Sequence, residues 1–242
     1  MKATATAILK DDLLSSLTVP RMTYGENDFA LEFTQPAPND MKVRIHGAQF
    51  DLKPFVVATY DLNEADIDGP EEDRMIDIDV EIERALMDEE LTLETVRATM
   101  RVEGNLIEGG TATGKFAGEK TFNFDLGRDG ETRTVSFISD DAGSLFRGLD
   151  LYDDFRDGTL KMSAVIDDTK ESRPAKGTIE IKDVRVVNAP VLGKILTLGS
   201  LGGIVDLLRG DGMVFATVEG PFTYENGIFQ TKDFRAVGSI GI

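Results

Sequence analysis

The chain of 242 residues sets 26 Lys plus Arg against 44 Asp plus Glu, a formal net charge of −18 at pH 7. Acidic residues along its whole length leave no basic stripe for phosphates and are repelled by an anionic membrane surface, so no nucleic-acid partner is expected. Zero Cys removes disulfides, thiolate nucleophiles and Cys-ligated metal centres, and a single histidine, His46, excludes a multi-histidine metal site.

The N-terminal stretch MKATATAILKDDLLSSL has one Lys and a short apolar run, without a long apolar core or a cleavage site, so it does not read as a signal peptide. ALEFTQP and MKVRIHGAQFDLKPF alternate well enough to add strands. His46 falls in the second of these as a solvated or hydrogen-bonded structural residue. Asp61 to Arg74, acidic and containing Pro70, reads as a loop.

The strongest signal follows. In Ile76-Asp77-Ile78-Asp79-Val80-Glu81-Ile82-Glu83, branched apolar residues alternate perfectly with carboxylates, the signature of a strand with one wet and one buried face. The pattern returns in Val96, Ala98, Met100 and Val102, and again in Phe122, Phe124 and Leu126. Glu103-Gly104-Asn105, Gly109-Gly110, Ala117-Gly118 and Arg128-Asp129-Gly130 read as turns, so residues 76–138 give five consecutive strands in a meander. Later strands fall at about 158–166, 177–187, 212–224, 227–233 and 235–242.

Two places break the rhythm. Around 140–149, Ser139 or an aspartate is placed to cap a short helix whose apolar face is Leu145, Phe146 and Leu149. From Pro190, helices are expected over about 191–199, with Leu192, Ile195 and Leu196, and over 203–209, with Ile204, Val205 and Leu208; Leu201 lies in the break between them. The stretch Ala189 to Leu208 nears spanning length but carries Lys194, Asp206 and several glycines, so it is not read as a membrane span.

Neither acidic cluster, Asp66 to Asp73 or Asp150 to Asp157, has the ligand spacing of an EF-hand, and no glycine-rich phosphate loop follows a strand. Paired carboxylates can be drawn from 44 acids almost anywhere, which carries no weight toward glycoside hydrolysis. No catalytic residue, metal or cofactor is expected, and the chain is read as non-enzymatic.

Residues 177–242 contain a strand ending Val186-Val187-Asn188-Ala189-Pro190, the apolar pair of helices from Leu192 to Leu208, Leu207-Leu208-Arg209-Gly210-Asp211-Gly212, and the closing Arg235-Ala236-Val237-Gly238-Ser239-Ile240-Gly241-Ile242. With Ser139 to Leu149 upstream, which is similar to a recurring Asp-x-Gly-x-Leu-Leu-Arg element but has Phe146 for a Leu, these resemble the C-terminal region of AsmA-like proteins of Gram-negative bacteria. The likeness is to the YhdP/TamB-related branch common in alphaproteobacteria. Residues 1–75 match only in general β character.

The resemblance implies a mainly β fold: a long antiparallel meander sheet folded into a taco-like or U-shaped apolar groove, with two or three short helices. It divides the chain into an N-terminal β segment, 1–75, and a groove region, 76–242, with a helical insert at 190–209. It further implies a periplasmic protein anchored in the inner membrane, serving outer-membrane biogenesis by carrying phospholipid acyl chains between membranes. Lacking the anchor and ending on an apolar strand, the chain is read as a segment of a longer polypeptide, with the remainder of that polypeptide and other envelope proteins as partners. Ile76, Ile78, Val80 and Ile82 are the candidate groove lining. Leu192, Ile195, Leu196, Leu201, Ile204, Val205 and Leu208 are a candidate plug, or else a hydrophobic cap. The alternative is a periplasmic interaction module, without lipid cargo, whose sheet edges pair with other segments.

Overall fold

The computed structural model describes residues 2–53, 74–87, 91–104, 106–149, 151–187 and 212–238. The chain is mainly β. Its strands are β1 (Lys2–Ala3), β2 (Thr6–Lys10), β3 (Leu13–Tyr24), β4 (Asn27–Ala37), β5 (Asp40–Asp51), β6 (Met75–Leu86), β7 (Thr92–Glu103), β8 (Leu106–Lys115), β9 (Thr121–Asp129), β10 (Thr132–Ser139), β11 (Phe155–Asp167), β12 (Ala175–Val186), β13 (Met213–Glu225), β14 (Ile228–Thr231) and β15 (Arg235–Gly238). Among the described residues one α-helix, α1 (Ala142–Gly148), and one 3-10 turn, Ala117–Glu119, interrupt them. The expected helices at 191–199 and 203–209 lie outside the described residues, as do positions 61–73 of the acidic loop.

Two compact units divide the chain, residues 1–133 and 134–242. In the first the strands run β3-β4-β5-β6-β7-β8-β9, with β1 and β2 both on the outer edge of β3, and the order does not return on itself. Sequential neighbours pair antiparallel at every step but one: β5 and β6 run parallel, Val43 opposite Ile78 and Ile45 opposite Val80. This departs from the uniformly antiparallel meander expected from sequence. Its basis is chain length, since residues 52–74 separate the two strands and a parallel return needs a dozen or more residues. The five strands expected over 76–138 are present as β6 to β10. β1, β2 and β3 lie in the N-terminal β segment ahead of the individual strands expected there from alternation.

Irregular pairing in the first unit falls on one line across the strands. The β3–β4 register shifts between Val19 and Met22, at Pro20, where a missing N–H is tolerated. The β4–β5 register shifts at Ala48; Glu83 and Thr95 are left out of the β6–β7 ladder; and β7–β8 shifts between Glu94 and Arg97. Thr95 sits at φ +53°, a strained conformation for a β-branched residue. Irregularities of this kind bend strands, and aligned across five of them they form a crease. At the crease the inward face moves by one residue, so Ile82 is followed inward by Ala85 and Leu86, and Val96 is preceded by Leu93. These residues are buried together with Phe29 and Phe116.

In the second unit β10, β11, β12 and β13 are followed by β14 and β15, which both pair with β13. Leu160, Ala164, Ile179, Ile181, Val184, Val218 and Phe222 form its core, with Leu145 and Phe146 of α1 packed against them. The helix is capped as its sequence suggests: the Asp141 carboxylate accepts from the Ser144 N–H at 2.9 Å. Gly143 lets α1 lie directly on β11, for a Cβ there would stand 2.8 Å from the Arg156 Cα.

Candidate functional site

Strand register converts the alternation of β6 into a surface. In the first unit Leu17, Phe33, Val43, Ile78, Met100, Gly110 and Leu126 are successive cross-strand partners from β3 to β9. A second row, Val19, Leu31, Ile45, Val80, Ala98, Ala112 and Phe124, lies beside it. Cross-strand partners share a face, so each row is continuous over seven strands, about 29 Å at the usual strand spacing.

The predicted lining residues occupy this face, and their burial is graded. Ile82, at the crease, is only 2% exposed, whereas Ile76, Ile78 and Val80 are half-buried. Ala98, Met100, Phe124 and Leu126 are half-buried as well. The face is thus packed shut along the crease and partly open beyond it. Phe29 and Phe50 meet edge to face at 5.0 Å on the closed side. Leu192, Ile195, Leu196, Leu201, Ile204, Val205 and Leu208, the candidate plug, lie outside the described residues.

The opposite face is laced with ion pairs. Three carboxylates of β6 meet an arginine of a neighbouring strand: Asp77 with Arg101 at 2.8 Å, Asp79 with Arg44 at 3.5 Å, and Glu81 with Arg97 at 3.2 Å. The Arg101 guanidinium, by hydrogen bonding, holds the Asp77 carboxyl below the usual carboxylate range. Thr99 and Thr111 hydrogen-bond across β7 and β8 at 2.9 Å. Against these side chains lies an open depression of about 600 Å³, bordered by Lys42, Arg44 and Arg101 and by Glu32, Asp77 and Asp79. Its charges balance, leaving it no preference for a cation or an anion.

His46 stands on the same polar face, opposite Ala30 and Glu81. Its Nδ1 is buried with no hydrogen-bond partner, so at that atom the residue is neither solvated nor hydrogen-bonded, contrary to expectation. Neither cross-strand neighbour, Ala30 or Glu81, hydrogen-bonds this nitrogen. Among the described residues no three His, Asp or Glu side chains come together as a metal site, and no helix is long and apolar enough to cross a membrane.

Charge also enters the apolar face, a feature the sequence reading passed over. Arg128 follows Leu126 by two residues on β9, and Arg133 precedes Val135 and Phe137 by the same spacing on β10, so alternation sets both on the apolar side. Arg133 is 7% exposed and donates from Nη1 to the Ile107 carbonyl at 2.8 Å. Arg128 is paired with Glu108. The only sequence signal was the apolar-to-basic switch at the end of β9, masked because Arg128-Asp129-Gly130 also reads as a turn.

No protein-family model and no curated protein matches this chain.

Proposed function

We propose that the chain is a non-enzymatic segment of an AsmA-like cell-envelope protein that holds phospholipid acyl chains on its apolar β face, in lipid transport between the inner and outer membranes. The observation that carries this reading is the pair of apolar rows that register extends over seven strands while leaving Ile76, Ile78 and Val80 half-exposed. A folded domain without cargo gains by burying such a face completely. Moving one CH₂ out of water is worth about 0.8 kcal/mol, so a dozen methylenes on these rows gain up to ~10 kcal/mol before the costs of association. No catalytic side chain is required, and the ion-paired opposite face keeps the sheet wetted on its other side.

A periplasmic location and partnership with further envelope segments belong to the same proposal. The test is native mass spectrometry of protein purified without detergent, followed by organic extraction. A bound mass that extracts as acyl lipid supports it, and a chain that stays lipid-free when phospholipid is supplied overturns it.

One observation favours a second reading, an interaction module. Every residue of β2 is exposed, and Ile8, Leu9 and Leu13 stand open at the outer edge of the first unit. Such an edge accepts a further strand. Association that rises with concentration and is lost in Ile8→Pro supports that module.

A further inference from the structure

We infer that Arg128, with Arg133 behind it, receives the anionic group of an amphiphile whose tail lies along the apolar rows. The inference rests on the acyl-binding reading above and adds to it an end for the ligand.

Across β6 and β7 the charged side chains alternate onto the ion-paired face, as Asp77, Asp79, Glu81, Arg97 and Arg101 do. At the β8–β9 end this order breaks. The ladder is irregular between Arg101 and Val102, where Val102 pairs with Ile107 and Arg101 with Gly109, leaving Glu108 as the extra residue. Two residues from Gly110, Glu108 falls on the apolar side, and its side chain is largely covered. Both arginines reach that same dipeptide: Arg128 bonds the Glu108 carboxylate and Arg133 the Ile107 carbonyl. The tight β9–β10 turn, in which the Thr132 hydroxyl donates to the Asp129 carbonyl at 3.0 Å, sets the two strands to do so.

The two arginines differ in a way that suits different tasks. Arg133 is buried and fixed. Arg128 keeps more than a third of its side chain exposed; its Nε donates to the Gly130 carbonyl at 2.9 Å and its Nη1 to Glu108, which leaves further N–H groups of the fork for a ligand oxygen. A planar guanidinium binds carboxylate or phosphate through paired N–H donors, more strongly than a neutral donor does. Leu126, one pleat away at about 7 Å, begins the apolar row, so an anion at Arg128 hands its tail directly to Leu126 and Met100. In a chain of net charge −18, a guanidinium more than a third exposed at the end of an apolar row is a local departure in sign. An isolated structural ion pair needs neither the second arginine nor the adjoining open row.

The experiment compares a fluorescent long-chain fatty acid with its uncharged methyl ester, titrated at low salt into the whole chain and into Arg128→Gln and Arg128→Lys. The expected result is about tenfold tighter binding of the acid by the unaltered chain, loss of that preference in Arg128→Gln with ester binding unchanged, and its partial return in Arg128→Lys. Equal binding of acid and ester by the unaltered chain, or an acid preference that survives Arg128→Gln, overturns the head-group assignment while leaving acyl binding in place. Failure of both probes to bind overturns the acyl reading and this inference with it. Inorganic phosphate, titrated alone, separates the remaining source: binding that is lost in Arg128→Gln marks a free-anion site and contradicts the amphiphile. Thermal unfolding of each variant confirms that it is folded, which the exposure of Arg128 favours.

Discussion

Gly158 on β11 and Asp183 on β12 face each other where the ladder between Asp157–Val184 and Thr159–Lys182 is interrupted, and both take left-handed backbone conformations, at φ +83° and +53°. Across this point the inward positions step by three, from Ile181 to Val184, as they step from Val96 to Leu93 beside left-handed Thr95 in the first unit. In each unit a left-handed residue marks the point where the inward face steps. In the second unit both facing residues are left-handed, whereas in the first Thr95 alone is, opposite Glu83.

Replacing Gly158 by Ala adds a Cβ at positive φ, 2.9 Å from the Lys182 carbonyl oxygen. A loss of about 1–3 kcal/mol is expected in urea unfolding. Asp183→Gly, which relieves strain at its partner, is expected to be neutral or stabilising. Equal destabilisation by both variants contradicts a backbone origin.

Burial along β6 makes a graded prediction. Ile82→Ala removes a 2%-exposed side chain from the crease and should cost about 2–5 kcal/mol. Ile78→Ala, on the half-open part of the row, should cost about 1 kcal/mol, because water already reaches the site. Denaturant midpoints at a common slope decide it, and similar losses at the two positions contradict a face that is closed at one end only.

The contrast between these positions also marks what sequence patterning reveals. Strict alternation over Ile76–Glu83 identifies the strand and its two faces. The crease escapes such a reading, because it is a one-residue change of face at Glu83 and Thr95, and neither residue carries a turn signal. β3 escapes because Leu13-Leu14-Ser15-Ser16-Leu17 does not alternate, and the parallel pairing of β5 with β6 escapes because no local pattern encodes a long-range partner. Charge on the apolar side, at Arg128, shows only once register sets it beside Glu108.

Ion pairing on the wet face predicts a pH dependence of definite sign. The Asp77 carboxyl is held low by Arg101, so its contribution to stability is present above the ordinary carboxylate range and is lost as pH falls through the lowered folded value. The difference in unfolding midpoint between pH 7 and pH 3 should therefore be smaller in Asp77→Asn than in the unaltered chain. The effect is expected to be modest and to shrink with added salt, since the pair is exposed. An unchanged difference contradicts a contribution from this pair.

Ala98 and Ala112 are direct partners and keep the second row low between Val80 and Phe124. Ala112→Phe should obstruct the row, reducing bound acyl lipid several-fold with little change in melting temperature, because its site is half-open. Undiminished lipid content in a folded variant contradicts passage of the chain over Ala112.

Neighbouring positions on opposite faces offer the most direct test that the apolar face is the cargo face. A photo-crosslinking side chain placed at Ile78 or at Asp79 differs by one residue in sequence and by the whole sheet in space. With phospholipid present, lipid adducts are predicted at position 78 and not at position 79. Equal crosslinking at the two positions, or adducts at 79 alone, contradicts the account.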